Sequence, residues 1–136
     1  MGSCLRSAAV LGVDAVIINK HQCAPVNQVV HDVSSGGIEL LNIFYVSNLI
    51  NCLKHLQDEN IKVFGLSEHA DMSYQNCNFE NSTAIIMGSE EFGIRKKTAE
   101  KCDLLINLSD NKNFKSFNVA VATGIILSEV VRQRKC

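Results

Sequence analysis

No stretch of this 136-residue chain is apolar for long enough to span a bilayer, and its amino terminus has no apolar signal-peptide core. A cytoplasmic protein without a membrane partner is therefore expected. Met1-Gly2-Ser3-Cys4 has the look of a myristoylation start, but Arg6 stands where that motif requires Ser or Thr. The cysteines, Cys4, Cys23, Cys52, Cys77, Cys102 and Cys136, include no CxxC pair, and His21, His31, His55 and His69 lack metal-ligand spacing. Both absences argue against a metal site, and scattered cysteines within apolar patterns read as reduced thiols used as small hydrophobes. Charge of one sign is also missing. The formal net charge of -1 argues against electrostatic nucleic-acid binding by the whole chain. Local basic clusters remain at Arg95-Lys96-Lys97 and Arg132-Gln133-Arg134-Lys135, each of which reads first as a solvated helix face. A nucleic-acid partner would then need help from a second chain or another domain. There is no internal repeat, low-complexity tract or linker, so residues 1–136 read as one domain.

With 46% hydrophobic and 20% charged residues, the chain can bury a real core. Residues 2–11 read as a helix that Gly12 ends, followed by the short apolar strand Val13-Asp14-Ala15-Val16-Ile17-Ile18. Pro25 can start a helix, and Val26, Val29, Val30 and Val33 share one face of it. A strand at residues 42–46 leads to Ser47 as N-cap and a helix with Leu49, Ile50, Leu53 and Leu56 on one stripe. Strands are expected at residues 61–66, 83–87 and 103–108, with a short helix over 94–101. Residues 67–81 read as the longest loop. Residues 119–127 are apolar almost all round and predict a buried helix that turns polar from Glu129 onward. Alternating strands and helices imply an α/β fold, a mostly parallel sheet with helices on both faces. The chain opens in a helix where such a sheet would usually supply a strand. Either the sheet starts without that strand, or the chain is a fragment.

Two turns carry polar and small residues that a plain core does not need, and both follow expected strands, whose carboxyl ends are where ligands bind in open α/β sheets. The first is Gly88-Ser89-Glu90 with Gly93. It is neither a GxGxxG fingerprint nor a P-loop, and a tight strand-to-helix turn would explain it equally well. The second is Ser116-Phe117-Asn118, where Ser116 can cap the following helix and Asn118 would need partners if buried. Arg6 reads as a solvent-facing arginine or as a phosphate clamp. His69, Asp71 and Cys77 could suggest a Cys-His nucleophile pair, though no local signature supports it.

Three separated blocks then resemble one family. "GSCLRSAAVLGVDAVII" looks like a first motif of the form NxGAxxRSA with its strand, "AIIMGSEEFGI" like a second, GxExxG, and "INLSDNKNFKSFNVAVATGIILSEVVRQR" like a third, IPM…SLNVSVAxGI. "APVNQVVHDVSSGGIE" resembles the linking segment. The chain thus resembles the SpoU (TrmH-like) branch of the SPOUT methyltransferases, which includes bacterial 23S rRNA guanosine-2'-O-methyltransferases. The resemblance implies a carboxyl-terminal trefoil knot, S-adenosyl-L-methionine as cofactor, a homodimer, and methyl transfer to a ribose 2'-hydroxyl of RNA, ribosomal RNA ahead of tRNA. It places Arg6, Glu90, Ser116 and Asn118 among the catalytic and polar site residues. The cofactor loops would be Met87, Gly88, Ser89 and Glu90 with Gly93, then Ile106, Asn107 and Leu108, then Ser116 and Phe117. The tail at residues 132–136 and the first helix would be the dimer contacts.

The sequence also departs from the family pattern. The first-motif Asn would precede Met1, together with a strand and the family's amino-terminal RNA-binding domain. Asn107 replaces the usual proline, Phe117 replaces leucine, and the loop from Ile106 to Asn118 is longer than the common form. Two rival readings follow: a tRNA ribose methyltransferase of the same fold, and a knotted dimerisation or RNA-binding module without turnover.

Overall fold

The computed structural model describes residues 8–19, 42–88, 93–109 and 119–135. Its strands are β1 (Val16–Asn19), β2 (Ile43–Val46), β3 (Lys62–Leu66), β4 (Met72–Ser73), β5 (Thr83–Ile86) and β6 (Leu104–Asn107). Its longer helices are α1 (Leu49–Asp58), α2 (Lys96–Lys101) and α3 (Val119–Arg134). Among the described residues the four strand pairings are all parallel. β1 pairs with β2, and a four-stranded sheet runs in the order β4-β6-β3-β5. The α/β class and the parallel sheet expected from the alternating pattern are both present.

β3 explains why the sheet closes around it. Val63 and Phe64 are fully buried, as a strand covered on both faces must be. A Cβ on Gly65 would sit 2.9 Å from Cys102 Sγ and 2.9 Å from Leu105 Cδ2, so glycine here lets flanking side chains close over the strand. The Val63 backbone is held twice by one residue: its N–H donates to Asp103 Oδ2 at 2.7 Å, and its carbonyl accepts from the Asp103 N–H at 2.9 Å. The turn from α2 into β6 is thereby pinned against β3.

α1 is bounded by sequence chemistry at both ends. Asn48 Oδ1 accepts from the Asn51 N–H at 3.1 Å, so the cap is Asn48 and not Ser47. Ser and Asn cap about equally well, and adjacent candidates are decided by backbone conformation. At the other end Asn60 takes φ 64, and the N–H groups of Asn60 and Ile61 donate to the carbonyls of Gln57 and Leu56. This is the Schellman arrangement, with asparagine in the left-handed position that glycine more often fills.

The main core joins Phe64, Phe79, Ile106, Ile126 and Val130. The rings of Phe64 and Phe79 meet edge to face with centroids 4.8 Å apart. α3 contributes Ala122, Ile126 and Val130 at four-residue spacing, with Thr123 beside them. Its other side is open at Val121, so the helix is buried on one face and not all round. The helix also continues through the polar residues to Arg134. Further differences from expectation are local. The first strand starts at Val16, α2 starts at Lys96, and residues 67–81 contain β4 and a 3-10 turn at Tyr74–Asn76. The expected valine-faced helix after Pro25 lies outside the described residues.

Candidate functional site

Parallel pairing fixes which strand ends meet. Gly65 of β3 is opposite Ile86, and Leu66 is opposite Ile106. The residues that leave β5 and β6, Met87-Gly88 and Asn107-Leu108, therefore emerge on either side of the end of β3. The Ser67 N–H donates to the Ile106 carbonyl at 2.9 Å and holds the middle strand's exit to its neighbour. Met87 and Leu108 are half-buried and pack on the core cluster, while Ile106 is fully buried within it. The two expected loops thus rise from one rigid edge.

Gly88 and Gly93 play different parts in the first loop. A Cβ on Gly88 would collide with the backbone of Gly93 and Ile94, so two chain segments cross there with no room for a side chain. Gly93 has open space around it but takes φ +69, a left-handed conformation that glycine adopts without strain. A turn needing glycine at both points brings bare peptide groups to the strand ends.

Asn107 closes β6 and is buried, with 4% of its surface exposed. Its Nδ2 donates to the Ala70 carbonyl at 2.6 Å, while Oδ1 has no hydrogen-bond partner. The Ala70 contact fixes the amide orientation, since the reverse would set two acceptors face to face. Among the described residues this is the one buried side-chain polar atom left unpaired.

Of the remaining expected site residues, Arg6, Ser89, Glu90, Ser116, Phe117 and Asn118 lie outside the described residues. The suggested Cys-His pair does not form. The His69 side chain is 86% exposed and lies 3.4 Å from Glu68, whereas Cys77 Sγ donates to the Ser73 carbonyl at 3.5 Å. Burial pushes the Cys77 thiol up, the wrong direction for a nucleophile. Burial, with the nearby Asp103 carboxylate, pushes Cys102 up to about 11. No group of three or more His, Cys, Asp and Glu among the described residues could hold a metal. None of the described helices is long and apolar enough to cross a membrane.

One polar constellation had no signal in the sequence. Gln133 Oε1 accepts the Phe79 N–H at 2.6 Å, and Gln133 Nε2 donates to the Cys77 carbonyl at 2.9 Å. Arg134 donates to the carbonyls of Phe79 at 2.9 Å and Asn81 at 2.6 Å. Gln133 and Arg134 are therefore not simply solvated, and part of the tail expected at a dimer contact is engaged within its own chain. Arg132 pairs with Glu129 through both carboxylate oxygens, at 2.6 and 2.9 Å. Those bonds, with Gln133, hold the Glu129 carboxyl down at about 2. A cleft of about 410 Å³ beside this constellation is lined by Gln75, Asn78, Glu80 and Arg132 among others. None of the residues expected to bind a cofactor lines it.

Comparison with known proteins adds to this geometry. The profile of the SpoU rRNA methylase family matches residues 1–128. The chain is 39% identical over 134 residues to the 23S rRNA (guanosine-2'-O-)-methyltransferase RlmB of Xanthomonas campestris, covering 98% of this chain and 54% of that protein. It is 40% identical over 134 residues to the protein of the same name from Escherichia coli, again covering 98% of this chain and 55% of that protein. The chain thus spans about half the length of these relatives. Among solved structures, the SpoU methyltransferase AviRb from Streptomyces viridochromogenes in complex with AdoMet superposes with a TM-score of 0.87 at 26% identity, over 98% of this chain and 52% of that one.

Proposed function

The chain belongs to the SpoU rRNA methylase family, and we propose that it is the catalytic domain of an S-adenosylmethionine-dependent RNA 2'-O-ribose methyltransferase acting on a guanosine of 23S ribosomal RNA. The observation that carries this reading is the emergence of Met87-Gly88 and Asn107-Leu108 at the same end of the two parallel strands that flank β3. Relatives 39–40% identical over 134 residues are named as 23S rRNA (guanosine-2'-O-)-methyltransferases.

The residues present fit such a cofactor. The loop at Gly88 is held backbone against backbone at the end of β5, and the Asn107 acceptor stands unpaired at the end of β6, on the other side of β3. Peptide groups of Met87, Gly88, Ser89, Gly93, Ile106, Asn107, Leu108, Ser116 and Phe117 would hold the nucleoside. S-adenosylmethionine, when bound, supplies an electrophilic methyl group. This chain's residues have to orient the ribose hydroxyl in line with it and exclude water. Glu90, Ser116 and Asn118 would order the two loops around the site. Arg6 would clamp an RNA phosphate and stabilise developing charge. A guanidinium stays protonated throughout the ordinary pH range and does not take the hydroxyl proton. That proton leaves to another base, such as the RNA phosphate or water.

The finer architecture belongs to the same reading. A carboxyl-terminal trefoil knot is what the family resemblance implies for this chain. A homodimer would add RNA contacts to those of this nearly neutral chain.

Isothermal titration with S-adenosylmethionine tests the cofactor. Saturable binding is expected, and absence of binding up to millimolar ligand overturns it. Methyl transfer to 23S ribosomal RNA should exceed transfer to tRNA, and the reverse order would reassign the substrate. Cofactor binding without transfer to either RNA would reassign the chain as a binding module.

A further inference from the structure

Resting on the methyltransferase reading above, we propose that Lys96 and Lys97, in the first turn of α2, grip the phosphate backbone of the RNA substrate beside the site of transfer. Nothing in the helix itself asks for lysine there. The first turn of a helix presents unpaired N–H groups and favours acids, whereas cations belong in the last turn. α2 has no acid in its first turn and no side-chain cap from Arg95. Both lysines are exposed, as is Arg95 before them. Lys97 also shares a helix face with Lys101, four residues on, and like charges at that spacing weaken a helix. Glu100 stands four residues after Lys96, yet no ion pair among the described residues engages Lys96 or Lys97. Local rules of this kind are broken where a function needs it.

The position of this turn points to the substrate. A Cβ on Gly88 would collide with the Ile94 nitrogen, and Lys96 follows two residues later, at most about 7 Å of chain from the exit of β5. The other end of α2 is at the opposite side of the sheet. There the Lys101 carbonyl accepts from Gln57 Nε2 at 2.7 Å, beside Asp58 and Glu59 at the close of α1, and the Asp103 N–H donates to the Val63 carbonyl near the start of β3. α2 therefore runs from the strand exits back to the strand beginnings, with Thr98 buried beneath it. Its lysine pair stands where RNA must lie to bring a ribose to a methyl donor, and its far end carries mixed charge. Two adjacent ammonium groups on flexible stems suit a phosphate backbone, because they act as point charges and need no fixed fork geometry.

Filter binding of labelled 23S ribosomal RNA across a salt series tests the surface. Each single-strand phosphate contact adds about 0.7 to the slope of log affinity against log salt. Lys96→Gln/Lys97→Gln is expected to reduce that slope by about 1.4, each single variant by about 0.7, and the double variant should bind about tenfold more weakly at low salt. An unrelated transcript should lose as much, since phosphate contacts carry no sequence information. Lys101→Gln removes the same charge from the far end of α2 and should leave the slope unchanged. Affinity for S-adenosylmethionine, read by titration calorimetry, should be unaltered in every variant. The urea midpoint of the double variant should not fall, and a fall would assign the lysines to the helix instead. An unchanged slope in the double variant, or an equal drop in Lys101→Gln, overturns the assignment while leaving the methyltransferase reading intact. Failure of wild type to bind RNA at all overturns both.

Discussion

A Cβ on Gly88 would fall well inside van der Waals contact distance of the Gly93 carbonyl carbon, so the loop after β5 closes on its own backbone at that point. Gly93 itself is glycine for another reason, its φ of +69. The two residues therefore differ in what they can tolerate.

Gly88→Ala should destabilise the fold by about 3 kcal/mol, because backbone rather than a flexible side chain must move. Gly93→Ala should cost only about 1 kcal/mol, the strain of a left-handed alanine in open space. Urea denaturation of the two variants measures the order. A Gly93 variant weaker than the Gly88 variant would show that the crossing is not tight.

The anchoring of residues 77–81 by α3 is separable into packing and polar parts. Phe79→Ala empties a fully buried site and should cost about 3–5 kcal/mol. Gln133→Ala removes partners of the Phe79 N–H and the Cys77 carbonyl and should cost about 1–3 kcal/mol. Hydrogen exchange at the Phe79 amide should rise in Gln133→Ala well before the amides of β3 do. Uniform acceleration throughout the sheet would mean that the segment does not open locally.

Acid should reach this anchor through Glu129. Its carboxyl is held at about 2 in the folded chain, below the ordinary 4.5, so its bonds stabilise the fold above about pH 4.5. That contribution is lost progressively as pH falls from about 4.5 through about 2. Arg132 is 70% exposed, which keeps the expected effect near 1 kcal/mol. Glu129→Gln should therefore lose less stability than wild type between pH 6 and pH 2.5, as read by denaturant midpoints. Parallel pH profiles would dismiss the linkage.

Cys102 should be inert in the native protein. Its thiol is pushed up to about 11, and its Sγ donates to the Thr98 carbonyl at 3.4 Å. Iodoacetamide at pH 7.5 should label Cys102 only at the rate of unfolding, and peptide mass spectrometry follows it. Rapid labelling in folded protein would show that α2 lifts from β3.

Local patterns made much of this fold legible. The apolar runs around Val16, Phe44, Phe64, Ile85 and Ile106 are strands, and the stripe containing Leu53 is a helix, because period and burial act over a few residues. What escaped depends on residues far apart in sequence. Phe79 sits among polar neighbours and looks like loop, yet it is fully buried because Phe64 and α3 close over it. Gln133 looks like surface until Cys77 and Phe79, more than fifty residues earlier, present their backbone to it. Asn107 was legible as a candidate site residue only through resemblance. That it is a strand end with a fixed amide depends on Ala70, which no local pattern connects to it.

The bonds from Gln133 and Arg134 to residues 77–81 also order events during synthesis. Phe79 leaves the ribosome more than fifty residues before Gln133, the residue that receives its N–H. At a translation rate of about 5–20 residues per second, that interval lasts some seconds. Until α3 is made, Phe79 and the edge formed by Phe64 and Ile106 lack the helix that covers them. The newborn chain therefore carries an uncovered aromatic surface for that time, the kind of surface that holding chaperones recognise.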